Sequence, residues 1–181
     1  MSNTILEEGN LRFEFTNYLK AEKFDIPSAN PHGLEPVDFV AESIDCLYFI
    51  EVKDYQHPHP KAVARRETDH RMLYNAALKR GFDAEGSLYC HKIGSKLKDS
   101  ILQKYATGEI DKDFKKRIVY LFILNLDMFS AEERGMLKER ISNHVPKGKK
   151  DDHRGLFFDM FFDLVNTEQL KEYGIICTEI N

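Results

Sequence analysis

The chain has 181 residues and a mass of 21.1 kDa, the length of one ordinary domain, so a single domain over residues 1–181 is expected. Apolar residues make up 42%, which excludes wholesale disorder; 26 Lys and Arg against 30 Asp and Glu leave a net charge of −4, which excludes a uniformly basic coat for nucleic acid but allows a local patch. No apolar run approaches the roughly 18 residues of a membrane span, and the opening MSNTILEEGN has no basic segment leading into an apolar one. With three cysteines (Cys46, Cys90 and Cys177) and no close pairing, the expectation is a reduced cytoplasmic protein.

In chain order, Thr4 to Lys20 reads as a helix, because Leu11, Phe15, Tyr18 and Leu19 recur at helical spacing. Pro27 and the Asn-Pro-His-Gly run from Asn30 to Gly33 interrupt it. Val37 to Ala41 and Cys46 to Asp54 read as two strands joined as a hairpin. After the loop His57-Pro58-His59-Pro60 comes a helix from Ala62 to Arg80, with Gly81 as its C-cap, then a second from Ser95 to Tyr105. Arg117 to Asp127 is the most apolar run, rich in β-branched and aromatic residues, and reads as a central buried strand. Ser130 and Glu133 form a capping-box pair that opens a helix to about Asn143. A polar loop, Val145 to Arg154, leads to a strand from Leu156 to Val165. A short helix capped by Asn166 or Thr167 and ending at Gly174 follows, then a strand from Ile175 to Ile180. This order predicts an α/β fold, a mixed central β-sheet flanked by helices.

Charge is uneven along the chain. Lys61 to Arg117 holds 14 Lys/Arg and 8 Asp/Glu, a stretch of +6, while the remainder holds 12 against 22, or −10. Arg65, Arg66, His70 and Arg71 fall near one side of the helix predicted over 62–80; Lys92, Lys96 and Lys104 follow, then Lys115, Lys116 and Arg117. Such residues are expected to contact phosphates; solvated helix surfaces are the bland alternative.

The chemistry concentrates in Leu34 to Tyr55. Strand alternation puts Leu47, Phe49, Glu51 and Lys53 on one face and Tyr48, Ile50 and Val52 on the other. A carboxylate and an ammonium thus project from one side of an apolar strand, and Asp38 on the preceding strand lies beside them if the two strands pair. Ions in such a place are costly unless paired or bound to metal. Mg²⁺ takes oxygen ligands, often one or two carboxylates completed by water and phosphate. Lys53 could orient an attacking water, serve as its base if its pKa is depressed, or stabilise the transition state. A surface Glu–Lys pair with Asp38 in a turn is the structural alternative.

Asp38 followed by Glu51-Val52-Lys53 at the end of an apolar strand resembles the PD-(D/E)xK, or restriction-endonuclease-like, nuclease superfamily. The resemblance covers roughly Thr4 to Asp127. It implies an α-β-β-β-α-β core and metal-dependent hydrolysis of phosphodiester bonds, expected in DNA, with Mg²⁺ or Mn²⁺ as cofactor. Asp38, Glu51 and Lys53 would be catalytic, and Asp38 and Glu51 would hold the metal. The family's first helix often adds an acidic ligand, for which Glu14, or alternatively Glu8, is the candidate here. Gln103 is a candidate for the auxiliary glutamine of some members, although Gln103-Lys104-Tyr105 lacks the wider Gln-x-x-x-Tyr spacing of the RecB-like branch. The sequence also reads Pro36-Val37-Asp38 where the family often has Pro directly before Asp. Many nucleases of this fold work as dimers, so a homodimer is implied as well. A catalytically inactive nucleic-acid-binding or interaction module on the same fold is the alternative, and a structural or oligomerisation protein a third.

Rival motifs carry less. Asp113-Phe114-Lys115 repeats the acidic-x-Lys triplet, but in a hydrophilic run without a strand before it. His57 and His59 with Cys90-His91 lack the spacing of a zinc site. Gly94-Ser95-Lys96 lacks the rest of a phosphate loop. Phe157, Phe158, Phe161 and Phe162 read as core and sheet edge, the edge suiting dimerisation.

Overall fold

The computed structural model describes residues 3–25, 33–56, 71–77, 84–126, 129–149 and 158–180. The first departure from expectation comes at once. Thr4 to Lys20 is not a helix but the strands β1 (Thr4–Glu8) and β2 (Leu11–Phe15), followed by β3 (Lys20–Lys23). Leu11, Phe13 and Phe15 alternate with Arg12 and Glu14, and the first three are buried. Period two therefore prevails over the helical spacing that leaves Phe13 out. Gly9 makes the turn possible: the two-residue loop Gly9-Asn10 joins antiparallel partners Glu8 and Leu11, with Gly9 at φ +60°.

The predicted hairpin is present as β4 (Phe39–Glu42) and β5 (Cys46–Asp54), antiparallel with Phe39 opposite Ile50. Residues 71–77 are helical; the rest of the helix predicted over 62–80, Gly81, and the His57-to-Pro60 loop lie outside the described residues. The next helix, α1 (Ala84–Ala106), begins eleven residues before Ser95. β6 (Arg117–Asn125) is the buried central strand, and all its residues after Arg117 are buried. α2 (Ala131–Ser142) starts on the expected capping box: Ser130 Oγ accepts from the Glu133 N–H, and the Glu133 carboxylate accepts from the Ser130 N–H. β7 (Met160–Val165) follows, then a 3₁₀ turn (Gln169–Tyr173) closed by Gly174 at φ +71°, and β8 (Ile175–Glu179). Asn166 and Gln169 exchange reciprocal bonds of side chain to backbone ahead of that turn.

The fold is mixed α/β with two sheets. Five strands run in the order β3-β4-β5-β6-β7; β3, β4 and β5 form an antiparallel meander, and β5, β6 and β7 are parallel. The last strand does not extend this sheet. β8 pairs with β2, making a separate antiparallel sheet β1-β2-β8. Each face of the five-stranded sheet is covered. On one side Val40, Leu47, Phe49, Tyr120 and Phe122 share a core with Ile93 and Leu97 of α1 and Leu137 and Ile141 of α2. On the other, Phe39, Ile50, Val52 and Leu121 share a core with Leu11, Phe13, Phe15 and Ile175 of the smaller sheet. β6 is apolar on both faces for this reason. α1 crosses from β5 to β6 on the helical side, so every inward-facing side chain of β5 on that side meets α1 or its neighbours.

Gly94 marks how closely α1 approaches the chain after α2, since a Cβ there would lie 2.5 Å from the His144 carbonyl oxygen. Among the described residues, no helix is long and apolar enough to cross a membrane.

Candidate active site

The alternation of β5 sends Glu51 and Lys53 to the helical side together with Leu47 and Phe49. Continuing the β4–β5 register one step beyond the pair Phe39–Ile50 puts Asp38 opposite Glu51. The Asp38 carboxylate accepts a 2.6 Å hydrogen bond from the backbone N–H of Val52, which ties it to the same stretch of β5. Asp38 is 8% exposed and Glu51 fully buried. Thus Asp38, Glu51 and Lys53 do gather in one place, near the carboxyl end of β5, the end of a parallel strand where open α/β sheets bind ligands.

A fourth charge joins them from α1. Lys96 is buried, and its Nζ lies 3.0 Å from Glu51 Oε2, while Lys53 Nζ lies 2.6 Å from Glu51 Oε1. Neither Glu51 oxygen makes a hydrogen bond of good angle among the described residues, so the carboxylate is held by ion pairing alone. Lys96 also donates to the Pro36 carbonyl at 3.2 Å. One turn further along α1, adjacent residues seat the segment leading to Asp38: Ser100 Oγ accepts from the Val37 N–H, and Asp99 accepts from the Glu35 N–H. The helix therefore fixes both members of the carboxylate pair, one by charge and one through backbone.

The electrostatics follow from burial. Burial, and then the nearby Glu51 charge, push the Asp38 carboxyl up to about 8, against a smaller opposing pull from Lys53, Lys96 and the Val52 N–H. For Lys53, burial works to lower the ammonium, yet Glu51 and Asp38 outweigh it and hold it above its ordinary value. Of the three roles open to Lys53, that of a base with a depressed pKa is the one this environment opposes. Tyr120 donates to the Ile93 carbonyl at 2.8 Å, and burial with Glu51 and Asp38 keeps its phenol protonated.

Lys96 was expected on a nucleic-acid-binding surface. The sequence did hold a signal for its true position: Tyr89, Ile93, Lys96, Leu97 and Ser100 form one buried stripe. A helix begun at Ser95 hides that stripe, because only its second half remains. Lys104 is likewise not on a phosphate-binding face. It is buried, sits 3.2 Å from Glu22 and 2.5 Å from Glu109, and caps the Phe24 ring at 4.9 Å. Arg71 pairs with Glu85 at 3.3 Å and Lys92 is half-buried on α1. Arg65 and Arg66 lie outside the described residues.

The remaining candidates are not brought to the cluster. Glu14 stands on the outer face of β2, where it accepts from Asn3 at 2.6 Å, and Glu8 on β1 pairs with Lys23 at 3.1 Å. With no helix at Thr4 to Lys20, neither has a helix face to point from. Gln103 sits seven residues beyond Lys96 on α1, about 10 Å along the axis. Among the described residues no group of three or more His, Cys, Asp or Glu is placed to hold a metal.

The two carboxylates nonetheless fit a hard divalent cation. Both are oxygen donors, and at Glu51 a cation would take over oxygens now held by the ammoniums of Lys53 and Lys96. Such a site would draw its other ligands from water and substrate oxygens. No family model, curated protein or solved structure matches this chain.

Proposed function

We propose that the chain is a metal-dependent nuclease that hydrolyses phosphodiester bonds, with DNA as the substrate. The observation that carries this reading is the convergence of Asp38, Glu51 and Lys53 at the carboxyl end of β5. The antiparallel meander β3-β4-β5, the crossover helix α1 and the parallel strand β6 also support a restriction-endonuclease-like core. The acidic residue expected from a leading helix has no counterpart here, so Asp38 and Glu51 are the two protein ligands proposed.

When bound, Mg²⁺ or Mn²⁺ supplies a water of lowered pKa and neutralises charge that develops on the phosphodiester. Asp38 and Glu51 hold the cation. Lys53, with a side chain 22% exposed and an ammonium kept protonated, faces the negative charge of the phosphoryl group and orients water through hydrogen bonds. The apolar shell of Phe49, Tyr120 and Phe122 limits solvent at the carboxylates, which strengthens each of these interactions.

The test is a cleavage assay on linear, supercoiled, branched and single-stranded DNA and on RNA, with Mg²⁺, Mn²⁺ or EDTA. Metal-dependent cutting that disappears in Asp38→Ala and Lys53→Ala is the expected result. Absence of cutting, with wild type and variants retarding DNA equally, refutes it.

One observation favours a second reading. Two ammoniums already balance the two carboxylates, as they would in a purely structural cluster. On that reading the chain is a nucleic-acid-binding or interaction module, and its DNA binding is salt-sensitive but indifferent to metal and to Lys53.

A further inference from the structure

Lys96 has no part in the role assigned to Asp38, Glu51 and Lys53, yet it occupies the most protected position of any charge in the cluster apart from Glu51. Its side chain is 9% exposed against 22% for Lys53, both facing the fully buried Glu51. The Pro36 carbonyl anchors its ammonium, so it cannot turn to solvent as Lys53 can. Counted together, Asp38 and Glu51 ionised against Lys53 and Lys96 give a sum of zero. A dication entering this arrangement meets two carboxylates and two ammoniums at close range and gains little net attraction. A phosphodiester brings one more negative charge, and Lys53, the more exposed of the two ammoniums, is the one placed to pair with it.

We propose that Lys96 is a built-in counter-ion, standing against Glu51 Oε2 where a divalent cation would otherwise be drawn, and that it makes cation binding depend on the arrival of a phosphodiester anion. This inference rests on the proposed nuclease site and assigns its regulation. Lys96 stands 3.0 Å from Glu51 Oε2 and Lys53 2.6 Å from Oε1, so a cation gains a Glu51 oxygen once Lys53 turns to the phosphodiester. The carboxylate is thereby aligned without metal, and the resting protein holds cations weakly.

The test is Mn²⁺ binding by the EDTA-stripped full chain, followed through the electron paramagnetic resonance signal of free Mn²⁺ and by calorimetry. It compares wild type, Lys96→Met, Lys96→Gln, Lys96→Arg and Glu51→Gln, each alone and with a phosphorothioate duplex. Lys96→Met keeps the length and apolar body of the side chain, and Lys96→Gln keeps a donor for the Pro36 carbonyl; thermal melts check that each is folded. The expected result is binding at least about tenfold tighter than wild type in Lys96→Met and Lys96→Gln without DNA. Wild-type weakness persists in Lys96→Arg, binding is lost in Glu51→Gln, and the duplex tightens wild type more than Lys96→Met. Loss of any ammonium this close to Glu51 favours a metal, so the greater tightening of wild type by the duplex is the readout that a purely structural lysine would not give. If Lys96→Met and Lys96→Gln match wild type while binding still depends on Glu51, the counter-ion role is refuted and the metal site stands. If the duplex leaves wild-type affinity unchanged, the dependence on substrate is refuted. If no Glu51-dependent binding occurs in any variant, with or without duplex, the metal site itself is refuted.

Discussion

Asp38→Asn is the perturbation whose consequence is worked most directly from the structure. In the folded chain the Asp38 carboxyl is pushed up to about 8, by burial and by Glu51, whereas an unfolded carboxyl loses its proton near 4. Between those values the folded state holds a proton that the unfolded state has released. Stability therefore falls as pH rises, by about 1.4 kcal/mol per pH unit, and levels off above pH 8. Among the described residues, the other shifted groups leave the interval from pH 7 to 8 clear. Glu22 and Glu109 feel burial raising them, but ion pairing with Lys104 and their other donors lowers them overall, so their contribution is lost only in acid. His144 is lowered by burial and by His91, so its contribution is complete by neutral pH. The raised Lys53 titrates far above the interval. Asn at position 38 has the shape of the protonated acid and retains a side-chain oxygen for the Val52 N–H. In EDTA, urea denaturation should show wild-type stability falling from pH 7 to 8 while Asp38→Asn stays flat. The variant should be more stable at pH 8 by on the order of 5 kcal/mol. A wild-type curve that is flat or rising over this interval, or a variant that follows it, would refute the electrostatic account of the cluster.

Two further substitutions separate the scaffold from the site. Gly94→Ala drives a methyl group into the backbone at His144 and should lower stability by about 1–3 kcal/mol in urea denaturation, without altering metal binding. Glu14→Ala and Glu8→Ala remove exposed or half-exposed carboxylates outside the cluster. Each should change stability by less than about 0.5 kcal/mol and leave any cleavage rate intact, and a large loss of rate would return the first strands to the active site.

Legibility in the sequence tracked how local each signal was. β5 and β6 were readable because their apolar runs are long and flanked by polar residues, and the capping box of α2 because it is two residues in contact. The first segment misled because Leu11, Phe15 and Tyr18 suit a helix as well as Leu11, Phe13 and Phe15 suit a strand; pairing with β8, far along the chain, decides between them. The same distance in sequence explains why the separate sheet β1-β2-β8 was not foreseen. Asp38, Glu51 and Lys53 were legible because register within one hairpin brings them together. Lys96 was not, since its place depends on how α1 lies across β5, a matter of tertiary packing. Its residue type pointed outward, and the buried stripe that contradicts this becomes visible only when the helix is extended back to Ala84.

The two upward shifts at the cluster, one on a carboxyl and one on an ammonium, also divide the labour of the proposed reaction. An ammonium held above its ordinary value cannot take a proton from water near neutral pH, so Lys53 acts by charge and hydrogen bonding. The group that titrates in the working range is Asp38, and protonated Asp38 is a poor ligand for a cation. Proton and metal therefore compete for the same carboxylate. The rate of cleavage should rise with pH at low Mg²⁺ and reach half its maximum near pH 8. Once Mg²⁺ exceeds the dissociation constant of the deprotonated site, each further tenfold increase should move that midpoint down by about one pH unit. A lysine base would behave otherwise, because its midpoint lies in the alkaline range and a nearby dication lowers it only once bound, giving a floor that further Mg²⁺ does not move. Rate profiles at several Mg²⁺ concentrations distinguish the two, and a midpoint that stays independent of Mg²⁺ above that dissociation constant would refute the competition at Asp38.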